Sequence, residues 1–271
     1  MALPDPSPTS TALVTGASSG IGEEFARQLA ARGHGVTVVA RREERLRKLA
    51  DELARDHGVR AEVVAADLGD EGDRDRLASE VERLGLTVEI LVDNAGFGIY
   101  RPFHTSDRAR ELEQVRVQVE AVVDLNARFV PGMVERGRGA VIVVSSTAGF
   151  QPLPGNGTYA ASKAFSLFHA ESLADELRPH GVTVTAVCPG PVETGFQEVS
   201  EPAFADHLPR VVWRGPERVA RDALRAAERG QRTVVPGGVA VKAAFAGNRL
   251  IPARLTLPVS RWIMRDELRR S

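Results

Sequence analysis

Hydrophobic and polar positions follow two alternating patterns along the chain. Short runs of apolar, largely β-branched residues are separated by longer stretches in which apolar residues recur every three or four positions, as at Leu46, Leu49 and Leu53. This alternation is typical of βαβ units, in which helices cover both faces of a parallel sheet. We predict strands at residues 11–14, 36–40, 61–65, 90–93, 140–144, 182–187 and 232–235. The pattern therefore predicts an α/β fold with one doubly wound parallel sheet of about seven strands.

The same pattern divides the chain into three parts. Residues 1–10 are rich in proline and predict a flexible lead, residues 11–238 carry the strand and helix rhythm, and residues 239–271 predict an amphipathic extension. Within the domain, residues 193–215 break the rhythm and predict a variable substrate loop above the carboxyl edge of the sheet. The apolar side chains of this loop could contact a ligand, or pack as a flap or subunit contact. Those of the extension could pack on the core, form an oligomer interface or dock on a membrane surface.

Charge and composition exclude several classes of function. The 35 Lys and Arg residues are balanced by 36 Asp and Glu residues, so no general field would attract nucleic acid, and no nucleic-acid partner is expected. Cys188 is the only cysteine, which excludes an intramolecular disulfide and zinc sites built on several thiolates. The six histidines show no metal-ligand spacing, and no metal is predicted. Without a signal peptide or an apolar run of membrane-spanning length, we predict a cytoplasmic protein with no transmembrane segment.

A glycine-rich turn follows the first predicted strand. Its sequence is Thr-Gly-Ala-Ser-Ser-Gly-Ile-Gly over residues 15–22, and a helical pattern begins directly after it. Glycines allow positive φ angles and a close approach of the backbone, and a helix N-terminus offers free N–H groups to an anion. The alternative is a simple tight turn. In this strand, turn and helix context we predict a pyrophosphate-binding turn in a Rossmann-type domain.

Tyr159 and Lys163 are four residues apart in a helical stretch, so their side chains lie on one face. An ammonium beside a phenol, together with the positive charge of an oxidised nicotinamide, would lower the tyrosine pKa toward neutrality and suit it to acid/base chemistry. Ser145 and Ser146 end a buried strand, where a hydroxyl could hydrogen-bond a reacting oxygen. Position alone leaves the choice between the two serines open.

Together these motifs make the chain resemble the short-chain dehydrogenase/reductase family, of the type with a TGxxxGxG turn and a YxxxK pair. Almost the whole chain takes part in the resemblance. The shared motifs, in order, are the turn at residues 15–22, Asp67-Leu68, Asn94-Ala95-Gly96, Ser146 with Gly149, Tyr159 with Lys163, and Pro189-Gly190 followed by Val192 and Thr194. The family pattern selects Ser146 over Ser145.

The resemblance implies the roles of the site residues. Tyr159 would be the general acid/base, helped by Lys163 and Ser146, and Gln118 would stand where the family has an asparagine that supports the lysine. Gln118 is therefore expected to engage the Lys163 side. The residues expected to bind the cofactor are Gly16, Ser18, Ser19, Gly20, Ile21, Gly22, Arg41, Arg42, Asp67, Leu68, Asn94, Ala95, Gly96, Tyr159, Lys163, Pro189, Gly190, Val192 and Thr194.

The end of the second strand bears on the choice of cofactor. An acidic residue there would accept hydrogen bonds from the ribose 2′-hydroxyl, whereas this chain has Arg41 and Arg42. With Ser18, these arginines would hold a 2′-phosphate, so NADP(H) is expected to bind more tightly than NAD(H). Arg41 is the first choice for this contact, and the alternative is that both arginines only decorate the start of a helix.

The expected function is an NADP(H)-dependent oxidoreductase that interconverts a secondary alcohol and a ketone or aldehyde by hydride transfer. A small lipophilic carbonyl or alcohol is the expected substrate, and the resemblance implies a homodimer or homotetramer. One alternative is a non-catalytic NADP(H)-binding sensor of the same fold. An epimerase or dehydratase would need a larger carboxyl-terminal domain and a different glycine spacing, and a purely structural protein would leave the ordered motifs unexplained.

Overall fold

The computed structural model describes residues 3–193, 213–237 and 253–264. Seven parallel strands in these residues form one sheet in the order β3-β2-β1-β4-β5-β6-β7. The strands are β1 Ser10–Thr15, β2 Val36–Ala40, β3 Ala61–Ala65, β4 Thr87–Asp93, β5 Gly139–Val144, β6 Val182–Val187 and β7 Thr233–Val234. The predicted doubly wound fold and its seven strands are confirmed; the largest difference is that β4 starts three residues earlier than predicted.

Helices cover both faces of the sheet in the described residues. The α-helices of the described residues are α1 Gly20–Ala30, α2 Glu43–His57, α3 Glu71–Arg83, α4 Arg108–Val115, α5 Ala121–Glu135, α6 Gly157–Leu177, α7 Pro216–Glu228 and α8 Ala253–Ile263. Two separate apolar clusters fill the two interfaces between helices and sheet. Leu46, Leu49 and Leu53 are all buried, as the spacing of three and four residues predicts.

A five-residue π turn, Arg116–Glu120, joins α4 to α5. Each π turn rotates the following side chains relative to a regular helix, and such turns often occur at functional sites. This one places Gln118 at its centre and buries that side chain to 1% exposure. Next to it, the buried guanidinium of Arg74 donates to Glu120 at 2.6 Å, to Asp124 at 2.7 Å and to the carbonyl of Leu68 at 2.8 Å, which ties α3 to α5.

Parts of the sequence-based interpretation fall on residues 194–212 and 238–252, outside the described residues. They include most of the predicted substrate loop and the first part of the extension. Among the helices that the structure does describe, none combines the length and the apolar character needed to cross a bilayer.

Candidate active site

The predicted site residues gather at the carboxyl edge of the sheet, around the ends of β1, β4, β5 and β6. From β1 the sheet continues to β2 and β3 on one side, and from β4 it continues to β5, β6 and β7 on the other. The boundary between β1 and β4 is therefore the topological switch point. Open α/β sheets bind ligands in the crevice at such a point. The glycine-rich turn follows β1, Asn94 follows β4, and Ser146 follows β5, so the fold brings the three motifs to one crevice.

The glycine turn has the backbone that its sequence predicts. Gly16 and Gly20 adopt φ angles of 65° and 61°, in the left-handed region that glycine populates at no steric cost. At Gly22, a Cβ atom would lie 2.4 Å from the carbonyl oxygen of Gly16, so only glycine fits. Ser19 precedes α1 without capping it through its side chain, and Ile21 is half-buried beside the core. First-turn N–H groups of α1 are thus offered to a ligand rather than to a side-chain cap.

Asn94, Ala95 and Thr15 fasten the turn to the end of β4. The hydroxyl of Thr15 accepts from the backbone N–H groups of Asn94 at 2.8 Å and Ala95 at 3.1 Å, and the Asn94 amide donates to the carbonyl of Thr15 at 2.9 Å. Asn94 was expected among the cofactor-binding residues; in the structure its amide nitrogen donates to the backbone of the turn itself. Thr15 was quoted only as part of the motif; its hydroxyl at the end of the apolar run Ala12–Val14, directly before the glycine turn, was the signal that could have identified it.

The two arginines after β2 have different surroundings. Arg42 donates to the hydroxyl of Ser18 at 2.9 Å and to that of Ser19 at 2.8 Å. Arg41 instead donates to Glu113 of α4 at 3.0 Å and lies 3.9 Å from Asp67. Arg42 with its two serine hydroxyls therefore forms a compact group of hydrogen-bond donors beside the glycine turn. Arg41, the first choice from the sequence, is held by a carboxylate that competes with any phosphate.

Tyr159, Ser146 and Lys163 converge between β5 and α6. The Tyr159 hydroxyl hydrogen-bonds the side chain of Ser146, and Lys163 Nζ lies 5.7 Å from the centroid of the Tyr159 ring. Lys163 Nζ donates to the carbonyl of Val144 at 2.9 Å. Ser145 points the other way and donates to the Lys163 carbonyl at 2.7 Å. Geometry therefore separates the serines that position alone left open: Ser146 contacts the phenol, and Ser145 anchors α6.

Burial shifts the pKa values of both members of this pair. Burial raises the pKa of Tyr159 to about 12, against a smaller lowering by the Ser146 hydrogen bond. Burial also lowers the pKa of Lys163 to about 8. The expected lowering combined the Lys163 ammonium with the charge of an oxidised nicotinamide; among the groups of the chain itself, loss of solvent around the phenol dominates. The phenol is accordingly protonated at neutral pH, as a proton donor must be.

The remaining loop motifs surround this centre. A Cβ on Gly149 would lie 2.7 Å from the backbone carbonyl carbon of Lys163, so this glycine lets the short helix Thr147–Phe150 approach α6.

The loop after β6 is also fixed by backbone contacts. The carbonyl of Pro189 accepts from Thr147 N–H at 2.9 Å, and Val192 forms a parallel bridge with Arg214. Gly190 lies between them and is partly exposed. Thr194 lies outside the described residues. Leu68, three residues after the end of β3, is buried.

The Gln118 side chain does not hydrogen-bond Lys163, contrary to the expectation from the family resemblance. Its amide nitrogen donates to the carbonyl of Phe97 at 2.8 Å, and Gln114, one helical turn earlier, donates to the same carbonyl at 2.7 Å. A Cβ on Gly96 would come 3.0 Å from the Gln118 amide oxygen. The two glutamines thus fix the loop after β4 rather than the lysine. Gln114 was missed, although its spacing of four residues from Gln118 was a readable signal.

The sequence analysis also missed a buried polar pair, Asp93 and Asn126. Asn126 Nδ2 donates to Asp93 Oδ2 at 2.6 Å, while Asp93 Oδ1 and Asn126 Oδ1 are both buried without a hydrogen-bond partner. Burial raises the pKa of Asp93 to about 7. A proton on Asp93 would remove a buried charge and turn one carboxyl oxygen into a donor, which agrees with the direction of the shift.

We expect Asp93→Asn to stabilise the protein at pH 7 by roughly 2 to 4 kcal/mol and to have little effect at pH 4. Between pH 3.8 and about 7 the folded protein holds a proton on Asp93 that the unfolded chain has lost, so stability falls as pH rises through this window. Asparagine removes the ionisation and retains an acceptor for Asn126. Urea unfolding of both proteins at several pH values measures this; a difference that does not change with pH contradicts it.

A cavity of about 460 Å³ adjoins the site at the start of α6. It includes Gly157 and Thr158, the two residues directly before Tyr159. Its wall is largely apolar, with some polar groups: Ile99, Arg101, Phe103, Glu111, Leu153, Pro154, Gly155, Asn156 and Ala161. In the described residues, no group of three or more His, Cys, Asp or Glu side chains could hold a metal ion, and Cys188 is buried as a free thiol.

Comparisons with known proteins agree with this geometry. A family model described as short chain dehydrogenase matches residues 10–203. A very-long-chain 3-oxoacyl-CoA reductase from Anas platyrhynchos is 34% identical over 203 residues, which are 73% of this chain and 64% of that protein. The chain thus spans less than two thirds of the length of this relative.

Solved structures resemble the whole chain. A short-chain dehydrogenase from Sphingobium yanoikuyae in complex with NADPH aligns with a TM-score of 0.79 and 30% identity, and the alignment covers 97% of each chain. A 7beta-hydroxysteroid dehydrogenase aligns with a TM-score of 0.81 and 26% identity over 95% of this chain and 96% of the other.

Proposed function

The chain belongs to the short-chain dehydrogenase/reductase family, and from this membership we propose that it is an NADP(H)-dependent oxidoreductase that interconverts a secondary alcohol and a ketone or aldehyde. The observation that carries the proposal is the contact of the Tyr159 hydroxyl with Ser146, with Lys163 Nζ 5.7 Å from the tyrosine ring. A phenol whose pKa is raised by loss of solvent can donate a proton to a carbonyl oxygen, and a neighbouring serine hydroxyl can hydrogen-bond the same oxygen.

Tyr159, Ser146 and Lys163 have separate roles in the proposed reaction. Tyr159 holds the proton that the substrate oxygen gains in reduction and takes it back in oxidation. Ser146 orients the phenol and donates to the substrate oxygen as charge develops on it. Lys163, whose pKa is lowered to about 8, carries the charge nearest to the phenol. Its hydrogen bond to Val144 keeps the ammonium in place beneath the ring. Bound NADP(H) would supply or accept the hydride.

The residues around the glycine turn fit a dinucleotide with an extra phosphate. The cradle at Gly16, Gly20 and Gly22 excludes side chains, as a close approach of pyrophosphate requires. Arg42, Ser18 and Ser19 offer a guanidinium and two hydroxyls, a donor set suited to a phosphate ester. Solved relatives contain NADPH or NADP. Preference for NADP(H) over NAD(H) is part of the proposal.

We expect Arg42→Ala to weaken NADPH binding roughly 10- to 100-fold and to leave NADH binding almost unchanged, because the guanidinium loses charge-assisted hydrogen bonds to the 2′-phosphate alone. Arg41→Ala is the matched control and should cost less, since Glu113 already holds that arginine. Fluorescence titration with both cofactors measures the constants. A larger loss of NADPH affinity in Arg41→Ala than in Arg42→Ala would make Arg41 the main phosphate contact, as predicted from the sequence. Equal affinities of the unmodified protein for NADPH and NADH would contradict the proposed cofactor preference.

The substrate that we propose is a lipophilic carbonyl or alcohol compound. The wall of the cavity supports this, because Ile99, Phe103 and Leu153 offer apolar contact in a cavity that also includes Thr158, the residue before Tyr159. Relatives differ widely in the size of what their names describe, from very-long-chain 3-oxoacyl-CoA to a hydroxysteroid. A 3-oxoacyl thioester is therefore included among the candidates, although the sequence alone favoured a smaller compound.

A panel of ketones, 3-oxoacyl thioesters and alcohols, assayed with NADPH and NADP⁺ by absorbance at the nicotinamide band, tests the proposal. Turnover of at least one carbonyl compound is expected. Tight NADPH binding without turnover of any member would support the sensor alternative instead. A homo-oligomeric state and a cytoplasmic location remain predictions from the sequence and the family.

A further inference from the structure

Glu113 of α4 holds two arginines at once. Its Oε1 accepts from Arg41 Nη1 at 3.0 Å, and its Oε2 accepts from Arg110 Nη1 at 2.6 Å. Arg41 is the first residue after β2, so the carboxylate ties the end of that strand to a helix 72 residues further along the chain. In a Rossmann-type fold the end of the second strand meets the ribose 2′ position of a dinucleotide. An acid is thus fixed beside the place that sets cofactor preference.

The Glu113 carboxylate is anchored more firmly than that of an isolated surface ion pair. Arg110 precedes it by one helical turn and lies over the ring of Phe97, 4.4 Å from the ring centroid. Phe97 is 3% exposed, and its carbonyl accepts from two buried glutamine amides. On the other side, a Cβ on Gly69 would lie 4.0 Å from Glu113 Cγ. Isolated surface pairs contribute little because both side chains must be ordered, whereas this carboxylate is already ordered by its neighbours.

Charges around Arg41 are close to balance. Asp67 lies 3.9 Å from the same Arg41 nitrogen that Glu113 contacts. Together with Arg42 and Arg110, the group has three arginines and two carboxylates, which gives a formal charge of +1. A phosphate monoester carries about −1.5 to −2 at pH 7. Loss of the Glu113 charge would raise the formal charge of the group to +2 and release an arginine donor for such a phosphate.

We propose that Glu113 is a positioning residue that sets cofactor specificity: by holding Arg41, it limits the affinity for the 2′-phosphate of NADP(H). The inference rests on the proposed NADP(H) function and deepens it. Arg42 with Ser18 and Ser19 makes the main phosphate contact, and Glu113 sets how much Arg41 adds to it. A carboxylate that accepts from Arg41 competes with the phosphate for the same donors. NADH lacks this phosphate, so its affinity does not depend on the Glu113 charge.

Fluorescence titration of the full chain with NADPH and with NADH tests the proposal. Glu113→Gln keeps the shape of the side chain and removes its charge. It is expected to tighten NADPH binding roughly three- to tenfold, while the Kd for NADH stays within about twofold, which also shows that the variant folds. Glu80→Gln is the matched control, because Glu80 pairs with Arg83 at 2.6 Å near the end of α3 and should leave both constants unchanged.

A double-mutant cycle tests the route through Arg41. Glu113→Gln should give no gain in NADPH affinity in a chain that already carries Arg41→Ala. An equal gain in both backgrounds overturns this route, because Glu113 would then repel the phosphate directly. An NADPH constant that is unchanged or weaker in Glu113→Gln alone overturns the specificity role and leaves the NADP(H) proposal intact. Failure of the unmodified protein to bind either nucleotide overturns both.

Discussion

Tyr159→Phe is expected to lower turnover by roughly 10²- to 10⁴-fold, the range for loss of a positioned acid/base group, while NADPH binding stays within about twofold of the unmodified protein. The change deletes one hydroxyl and retains the ring over which Lys163 Nζ lies at 5.7 Å. With the proton donor gone, the reacting oxygen has no group to protonate it in reduction. The measurement is kcat for the best substrate of the panel, with NADPH titration on the same preparation.

Tyr100→Phe is the control for this prediction, because Tyr100 is the only other tyrosine; its side chain is buried, whereas that of Tyr159 is half-buried. It removes the same atom close to the site and should cost much less. Turnover by Tyr159→Phe comparable to that of the unmodified protein would exclude Tyr159 as the acid/base. Equal losses in both variants would show that packing, not proton transfer, accounts for the effect.

Features of the fold that depend on local pattern could be predicted from the sequence. The strands follow from apolar runs, and the glycine turn follows from positions where φ must be positive or the backbone must approach closely, as at Gly16 and Gly22. The pairing of Tyr159 with Lys163 follows from helical geometry alone. These are short-range properties, and the sequence contains all the information that they require.

Features that depend on distant partners could not be predicted in this way. Arg41 and Arg42 are adjacent in sequence, and the carboxylate that distinguishes them, Glu113, lies 72 residues away from Arg41. Gln118 was assigned to Lys163 by analogy with an asparagine, but the π turn directs its amide to the Phe97 carbonyl. The raised pKa of Tyr159 likewise depends on burial, which is set by the packing of the whole site.

Helix α8 is another case in which the sequence pattern alone does not predict the packing. Its sequence is amphipathic, and an apolar face ordinarily predicts burial against the core. The structure buries Thr256 and Ser260 and leaves Trp262 exposed. Periodicity can identify the two faces of a helix, but the choice of which face turns inward is made by the surface on which the helix packs.

The pair of serines after β5 allows the sharpest separation of roles. Ser146→Ala is expected to lower kcat on the order of 10²-fold or more, as for loss of one donor to a developing oxyanion, with a smaller change in KM. Its hydroxyl contacts the Tyr159 phenol, and it also accepts from Ala148 N–H at 3.1 Å. Removal should therefore affect the chemical step more than the binding of substrate.

Ser145→Ala is the control, and its loss should appear in stability rather than in rate. Its hydroxyl donates to the carbonyl of Lys163 at 2.7 Å and is buried, so alanine leaves that carbonyl with one hydrogen bond fewer and should cost about 1 to 3 kcal/mol of unfolding free energy. Kinetics and urea unfolding of both variants decide between them. If Ser145→Ala loses turnover while Ser146→Ala retains it, the catalytic hydroxyl belongs to Ser145, and the hydrogen bond between Ser146 and Tyr159 has no part in the reaction.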